Sequence, residues 1–231
     1  MKNLVVLTGA GISAESGIST FRGSGGLWER YSIEEVATPQ AWAKNRALVT
    51  DFYNQRRKQL LEVQPNYGHI GLVELEKWFR VSIITQNIDN LHERAGSSSI
   101  LHLHGELTKV RSEMDEKLVY ELPPEKYEVR IGDLCEKGYQ LRPHIVWFGE
   151  AVPMMDRAVE ITEKADILVV IGTSLNVYPA AGLIHYVEDN VPIYLIDPND
   201  VMANRKNVTF IKKGASEGVK ELIELLRDRA V

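Results

Sequence analysis

Five short apolar runs, at residues 4–8, 81–85, 167–172, 192–196 and 208–211, limit most sharply what this chain can fold into. They are rich in Val and Ile and bounded by Gly, Pro, Asn or Asp, as strands buried on both faces should be. Between them, residues 66–79, 153–164, 178–190 and 216–229 carry apolar side chains at helical spacing. Strands alternating with helices wind right-handed crossovers, which predicts an α/β fold with a Rossmann-like, doubly wound parallel sheet. Two stretches break the alternation. Residues 23–64 hold one clear helix, about 46–62, with no strand before it, and residues 109–141 are charged and irregular around Pro123-Pro124. Both are read as insertions building a small lobe (about 23–65 and 109–142) beside a core of about 1–22, 66–108 and 143–231.

A chain of 231 residues is long enough for that one domain and its inserted lobe. With 44% apolar and 26% charged residues, a disordered or fibrous class is excluded. A net charge of −5 without a Lys/Arg block argues against nucleic-acid binding through the whole surface, although Arg56-Arg57-Lys58 is a local basic patch. Cys135 is the single cysteine, so neither an intrachain disulfide nor a multi-cysteine zinc site can form. The apolar run 4–7 is too short for the core of a signal peptide. No window approaches the roughly 18 apolar residues of a membrane span. The expectation is a soluble, cytoplasmic monomer without a membrane partner.

Gly9, Gly11 and Ala14 fit the G-x-G-x-x-G/A pattern directly after the run 4–8. Glycines there permit a tight turn and let backbone N–H groups approach a pyrophosphate. A lone match is more often just a turn; the strand before it and the Ser-rich turn after it favour a phosphate cradle. The dehydrogenase form of the pattern also places an acidic residue at the end of the second strand, about 20 residues on. Here that distance falls on residues 29–31, inside an insertion, so the ribose is not held in that way. Thr20-Phe21-Arg22 instead offers a cation for a phosphate and a ring to cover a nicotinamide.

Residues 85–92, TQNIDNLH, set amide, carboxylate and imidazole groups at a strand's expected carboxyl end, where open α/β sheets build ligand crevices. So polar a stretch is poorly suited to a core. Further on, alternation through Leu101-His102-Leu103-His104 puts the two histidines on one side and the two leucines on the other. An isolated histidine is usually structural; two of them before a glycine and after an Asn/Asp cluster suggest a base. Spacing does not choose between His102 and His104. Residues 142–150 and 172–179, taken alone, read as a buried strand and a tight turn. Tyr53 and Arg56 share a helix face at i, i+3, which by spacing alone is the half-exposed face of an amphipathic helix.

Taken together, residues 9–28 (GAGISAESGISTFRGSGGLW), 85–92, 104–107 (HGEL), 146–150 (VWFGE) and 172–174 (GTS) resemble the signature blocks of the sirtuin family, in their order. The likeness spans most of the chain except 109–141, and five blocks in register are far more specific than one glycine pattern. It implies an enzyme that consumes NAD to remove acyl groups from protein lysines, giving nicotinamide, O-acyl-ADP-ribose and free lysine. By carry-over, Gly9, Ala10, Gly11, Ile12, Ser13, Glu15, Phe21, Arg22 and Trp28 line the NAD site. Gln86, Asn87, Ile88 and Asp89 surround nicotinamide and its ribose. Gly172, Thr173, Ser174 and Ala215 hold the adenosine half. The resemblance makes His104 the base, with Asn87 and Asp89 beside it in catalysis. Val146, Trp147, Phe148, Gly149 and Glu150 on one side, and Leu175, Asn176 and Val177 on the other, flank an acyl-lysine peptide. Residues 52–57 are similar to the segment in which deacylase members read an acidic acyl group. Tyr53 and Arg56 would then favour succinyl- or malonyl-lysine, with deacetylation also open.

The chain also departs from the family. Many sirtuins hold a structural zinc with four cysteines in the small lobe; with Cys135 alone, no zinc is expected. An apolar mini-core of Val110, Leu118, Val119, Tyr120, Val129 and Ile131 is expected to replace it. The usual ribose-contacting Asn is hard to place, and Asp197 or Asn199 is its nearest match. Two other functions share the cofactor site: NAD glycohydrolysis or ADP-ribosyl transfer, and non-catalytic NAD binding in regulation. A pure sensor needs no base, so Asn87, Asp89 and His104 count against the last.

Overall fold

The computed structural model describes residues 1–19, 31–203 and 205–227. Its strands are β1 (Asn3–Thr8), β2 (Arg80–Thr85), β3 (Ile100–His102), β4 (Gly105–Ser112), β5 (Val119–Glu121), β6 (Leu141–Ile145), β7 (Ile167–Ile171), β8 (Ile193–Ile196) and β9 (Val208–Ile211). Six of them form one sheet in the order β3-β2-β1-β7-β8-β9, parallel at every pairing. Along that sheet the chain winds outward from β1 in one direction and from β7 in the other, as dinucleotide-binding sheets do. The order therefore reverses between β1 and β7, which opens a crevice beyond their carboxyl ends.

Successive residues of one strand face opposite sides, and here both sides are dry. Leu4, Val6, Val169 and Ile171 pack against Leu72, Leu75, Val219 and Leu222 of α5 (Tyr67–Leu75) and α8 (Ala215–Arg227). Val5, Leu7, Leu168 and Val170 pack on the other side, with Ala158 of α7 (Met155–Thr162) and Leu183. That double burial is why these strands read as unbroken apolar runs. The five expected strands match to within one residue at each end. The expected helix 178–190 is replaced by a 3-10 helix, Ala180–His185. Gly182 near its middle weakens a longer α-helix, and two tight turns already bury Leu183 and Ile184. Residues 228–229 of the expected last helix lie outside the described residues.

The stretch 23–64 folds, where described, into α2 (Ile33–Val36), α3 (Pro39–Lys44) and α4 (Arg46–Glu62). Asn45 caps α4, its side-chain oxygen accepting from the Leu48 N–H. The stretch 109–141 is less irregular than its charge suggests: β4, β5 and β6 make an antiparallel sheet. Its expected mini-core is only partly formed. Val110 and Val129 are buried, but Val119 is 37% and Ile131 is 54% exposed. A polar side chain does the fastening instead. The buried Gln140 amide donates to the carbonyls of Arg130, Asp133 and Leu141 and accepts from the Gly132 N–H. Asn54 of α4 then grips Val129 at both its N–H and its C=O, seating the lobe on the helix. No helix among the described residues is long and apolar enough to cross a membrane.

Candidate active site

At the reversal point the loops after β1 and β7 lie backbone against backbone. The Gly11 N–H donates to the Gly172 carbonyl at 2.9 Å, and Gly9 N–H to Ile171 at 3.0 Å. A Cβ on Gly9 would lie 2.7 Å from the Gly172 oxygen, and one on Gly11 2.6 Å from the Gly172 Cα. Gly172 itself has φ +63°. Glycine is required at all three positions, two by contact and the third also by conformation. Ile12 is wholly buried in the core, so only its backbone faces the loop. Thr173 Oγ1 accepts from Gln86 Nε2 at 3.2 Å, tying the β7 loop to the end of β2. Ser174 and Asn176 are exposed and Val177 half-buried, whereas Leu175 turns into the core. Asp197 and Asn199 share one turn beyond β8, Asp197 Oδ1 accepting from the Asn199 N–H and side-chain amide. Glu15 receives the Ser216 N–H at the start of α8, next to Ala215. Phe21, Arg22 and Trp28 lie outside the described residues.

The polar stretch after β2 is buried after all, Asn87 and Asp89 being 5% and 6% exposed. It is tolerated there because most of its polar atoms find partners, Asn90 Oδ1 and His92 Nδ1 being exceptions. Ser13 Oγ donates to Asp89 Oδ2 at 2.9 Å, and Asn87 Nδ2 donates to Ser13 Oγ and to the Gly9 carbonyl. The Leu91 N–H reaches Asp89 Oδ1. Burial pushes the Asp89 carboxyl pKa up, and these hydrogen bonds pull it back only in part. Behind Ser13 lies His69, and beside it His92, the two rings edge to face at 4.9 Å. Burial lowers the His69 pKa to about 4 and that of His92 well below the ordinary value, so both stay neutral. His69 escaped the sequence analysis; its only signal is a position three residues after the α5 cap, Asn66.

The two histidines that spacing left equivalent differ sharply here. His102 turns Nδ1 to the Asn87 carbonyl at 3.0 Å and Nε2 to the Glu93 carboxylate at 2.7 Å. Both partners only accept, so both ring nitrogens carry hydrogen. Burial alone would lower the His102 pKa, but the Glu93 carboxylate overrides it and the pKa is raised. His104 turns Nδ1 to the Gln86 carbonyl at 3.0 Å. That acceptor fixes the hydrogen on Nδ1 and leaves the Nε2 lone pair available. Burial lowers the His104 pKa, so the ring is neutral at pH 7.

Tyr53 and Arg56 are 3% and 8% exposed, which removes the surface reading of their helix face. Arg56 lines a cavity with Ser13, Asn87, Ile88, Asp89 and Gln59. Gln59, one turn beyond Arg56, was missed; its i+3 spacing on the same face is the signal that could have found it. Tyr53 instead meets Trp147, whose indole N–H donates to the phenol oxygen at 3.0 Å. Glu150 accepts from Arg142 at 2.8 Å and from the Trp147 N–H at 2.7 Å, so its carboxylate braces its own loop. The Val146 N–H donates to the His104 carbonyl, Phe148 is 42% exposed, and Gly149 has φ +92°. Among the described residues no group of three or more His, Cys, Asp or Glu could hold a metal ion.

The Sir2 family's sequence profile matches residues 9–179. The chain belongs to the Sir2 family. As a member it is 64% identical over 230 residues to an NAD-dependent protein deacylase of Bacteroides thetaiotaomicron, with 98% of each chain covered. It is 55% identical over 231 residues to an NAD-dependent protein deacylase of Helicobacter pylori, with 100% of each covered. A crystal structure of a Sir2 homologue in complex with NAD superposes with TM-score 0.88 at 42% identity, covering 100% of this chain and 91% of that one. The expected α/β architecture with its small lobe is thus the family's own.

Proposed function

We propose that this Sir2-family chain is an NAD-dependent protein deacylase that removes acyl groups from lysine side chains. One observation carries the reading: the glycine contact of the β1 and β7 loops adjoins the buried Ser13, Asn87 and Asp89 network, with a neutral His104 close by. The donor set fits NAD. Gly9, Gly11 and Gly172 let the β1 and β7 loops close against each other, which brings the backbone of the glycine loop to the crevice. On this reading Thr173, Ser174, Asp197, Asn199, Glu15 and Ala215 hold the adenosine half, and Gln86, Asn87, Ile88 and Asp89 the nicotinamide half. Phe21, Arg22 and Trp28 join this set through the family resemblance. β2 ends at Thr85 and is followed by Gln86, neither of them a carboxylate, unlike the dinucleotide sheets of hydride-transferring enzymes. NAD, when bound, would supply a ribose carbon that exchanges nicotinamide for the acyl oxygen and a ribose hydroxyl on which the acyl group leaves.

The chain's own groups then have distinct tasks. Asn87 and Asp89, held by Ser13, Gly9 and Leu91, orient the carboxamide side and exclude water from it. His104 takes a hydroxyl proton at Nε2, while its Nδ1–H stays on Gln86. Tyr53 and Arg56 read the acyl end, and a guanidinium fork with a phenol suits a carboxylate. Succinyl and malonyl groups are therefore the favoured cargo, with acetyl also removed. Val146, Phe148 and Gly149 face Asn176 and Val177 across an extended peptide, with Trp147, Glu150 and Leu175 supporting them from within the fold. The test is to incubate the protein with NAD and matched acetyl-, malonyl- and succinyl-lysine peptides and follow products by mass spectrometry. Nicotinamide and O-acyl-ADP-ribose appearing one for one support the reading. Nicotinamide released without loss of the acyl group would identify a glycohydrolase instead.

A further inference from the structure

Tyr53 sits in a chain of contacts that nothing in the basic reaction requires. Glu150 holds Arg142 through both terminal nitrogens, at 2.8 and 3.2 Å. The Arg142 guanidinium carbon lies 3.4 Å from the centroid of the Trp147 ring. Trp147 is 2% exposed, its backbone N–H fixed on Glu150 and its indole N–H on the Tyr53 oxygen. An indole N–H can only donate. The Tyr53 oxygen therefore acts as acceptor toward Trp147, which leaves the phenol's own hydrogen to be donated elsewhere. Burial keeps that hydrogen in place: it pushes the phenol up to about 12, against the pull of Trp147 and of Arg142, Arg56 and Arg57.

We propose that Trp147 is a positioning residue for acyl selectivity: by occupying the Tyr53 oxygen it commits the phenol to donating, so that Tyr53 and Arg56 together present only donors and take an acyl group ending in a carboxylate. A neutral acyl group offers no acceptor at that depth and gains nothing from the arrangement. The inference rests on the reading of Tyr53 and Arg56 as the acyl-sensing pair, and goes beyond it by assigning the device that sets the phenol's polarity. Arg142 and Glu150 are the brace that makes the indole's orientation a property of the fold.

Trp147→Phe keeps an aromatic ring beside Arg142 but deletes the indole N–H together with part of the buried ring volume. Its test is the ratio of kcat/KM for succinyl-lysine peptide to that for acetyl-lysine peptide, at saturating NAD, with thermal unfolding as a check on folding. The ratio falls by about fivefold, mainly through a higher KM for the succinyl peptide. Tyr53→Phe lowers the same ratio at least as far, and the double variant goes no lower than Tyr53→Phe alone, because both changes cut one contact. An unchanged ratio in Trp147→Phe, or losses that multiply in the double variant, overturns the proposal. Arg56→Met separates the two levels. If it shifts the ratio and Trp147→Phe does not, the positioning role alone is wrong. If it leaves the ratio unmoved, acyl sensing at α4 is wrong and the role of Trp147 falls with it.

Discussion

The two ends of the site are built from different chemistry. The end beside the glycine contact holds His69, His92, His102 and His104 among threonine, serine and main-chain carbonyls. The end at α4 holds Tyr53, Arg56, Arg57, Trp147 and Arg142, fixed chiefly through side chains. The first holds imidazoles that can exchange a proton, His102 with its pKa raised by Glu93 and His104 with its pKa lowered by burial, while the guanidinium groups of the second keep their charge. Proton traffic is thereby confined to one end, and the other keeps a constant positive field for whatever group it reads.

The strongest way to break this division is His104→Ala, which lowers turnover of acetyl, malonyl and succinyl peptides alike by about 10²–10⁴-fold while circular dichroism stays native. A loss confined to one acyl group, or near-normal turnover, would mean that the two ends do not divide the work as described. Arg56→Met is the converse. The succinyl-to-acetyl ratio of kcat/KM falls by about tenfold or more, since a charge-assisted hydrogen bond is lost for only one of the two substrates. Equal losses on both peptides would remove the selectivity role.

A subtler contrast lies in pH. The His104 pKa is lowered by burial, so the base is still neutral at pH 6.5 and protonates only below it. The acid limb of kcat/KM therefore falls below pH 6.5, and the succinyl-to-acetyl ratio stays level across it. A limb above 6.5 would contradict the assigned environment. The same histidine-rich end governs acid stability. His69 binds protons in the unfolded chain near 6.5 and in the folded one only near 4. Between those values the unfolded state holds more protons, so stability declines as pH falls through the window. Thermal scans should show a shallower decline in His69→Gln; an identical slope would assign the acid sensitivity elsewhere.

The parallel sheet was legible because burial on both faces leaves runs such as VVL and ILVVI that little else explains. Its third strand, β3, was not among the expected strands: Ile100–His102 is only three residues long, too short an apolar run to stand out although its alternation marks it as extended. The small sheet was obscured for a different reason. Gln140 and Asn54 hold it through polar contacts, and an amide in a sequence looks the same whether it is solvated or clamped. The site was readable as blocks but not as geometry. Alternation correctly set Leu101 and Leu103 against the core, opposite the two histidines. Only the carbonyls of Gln86 and Asn87 and the carboxylate of Glu93, remote in sequence, decide which histidine is charged and which has a free lone pair.

At residues 103–105 the chain leaves one sheet for the other. Leu103 N–H still bonds Thr85 in the large sheet, and Gly105 already pairs with Ile145 in the small one. A Cβ on Gly105 would run into the His144 carbonyl, so this seam admits only glycine. His104 rides on the seam, with Val146 bonded directly to its carbonyl. The base is thereby gripped from both sheets at once, its ring by the Gln86 carbonyl at the end of β2 and its main chain by Val146 just beyond β6, so the junction itself sets the direction of the imidazole.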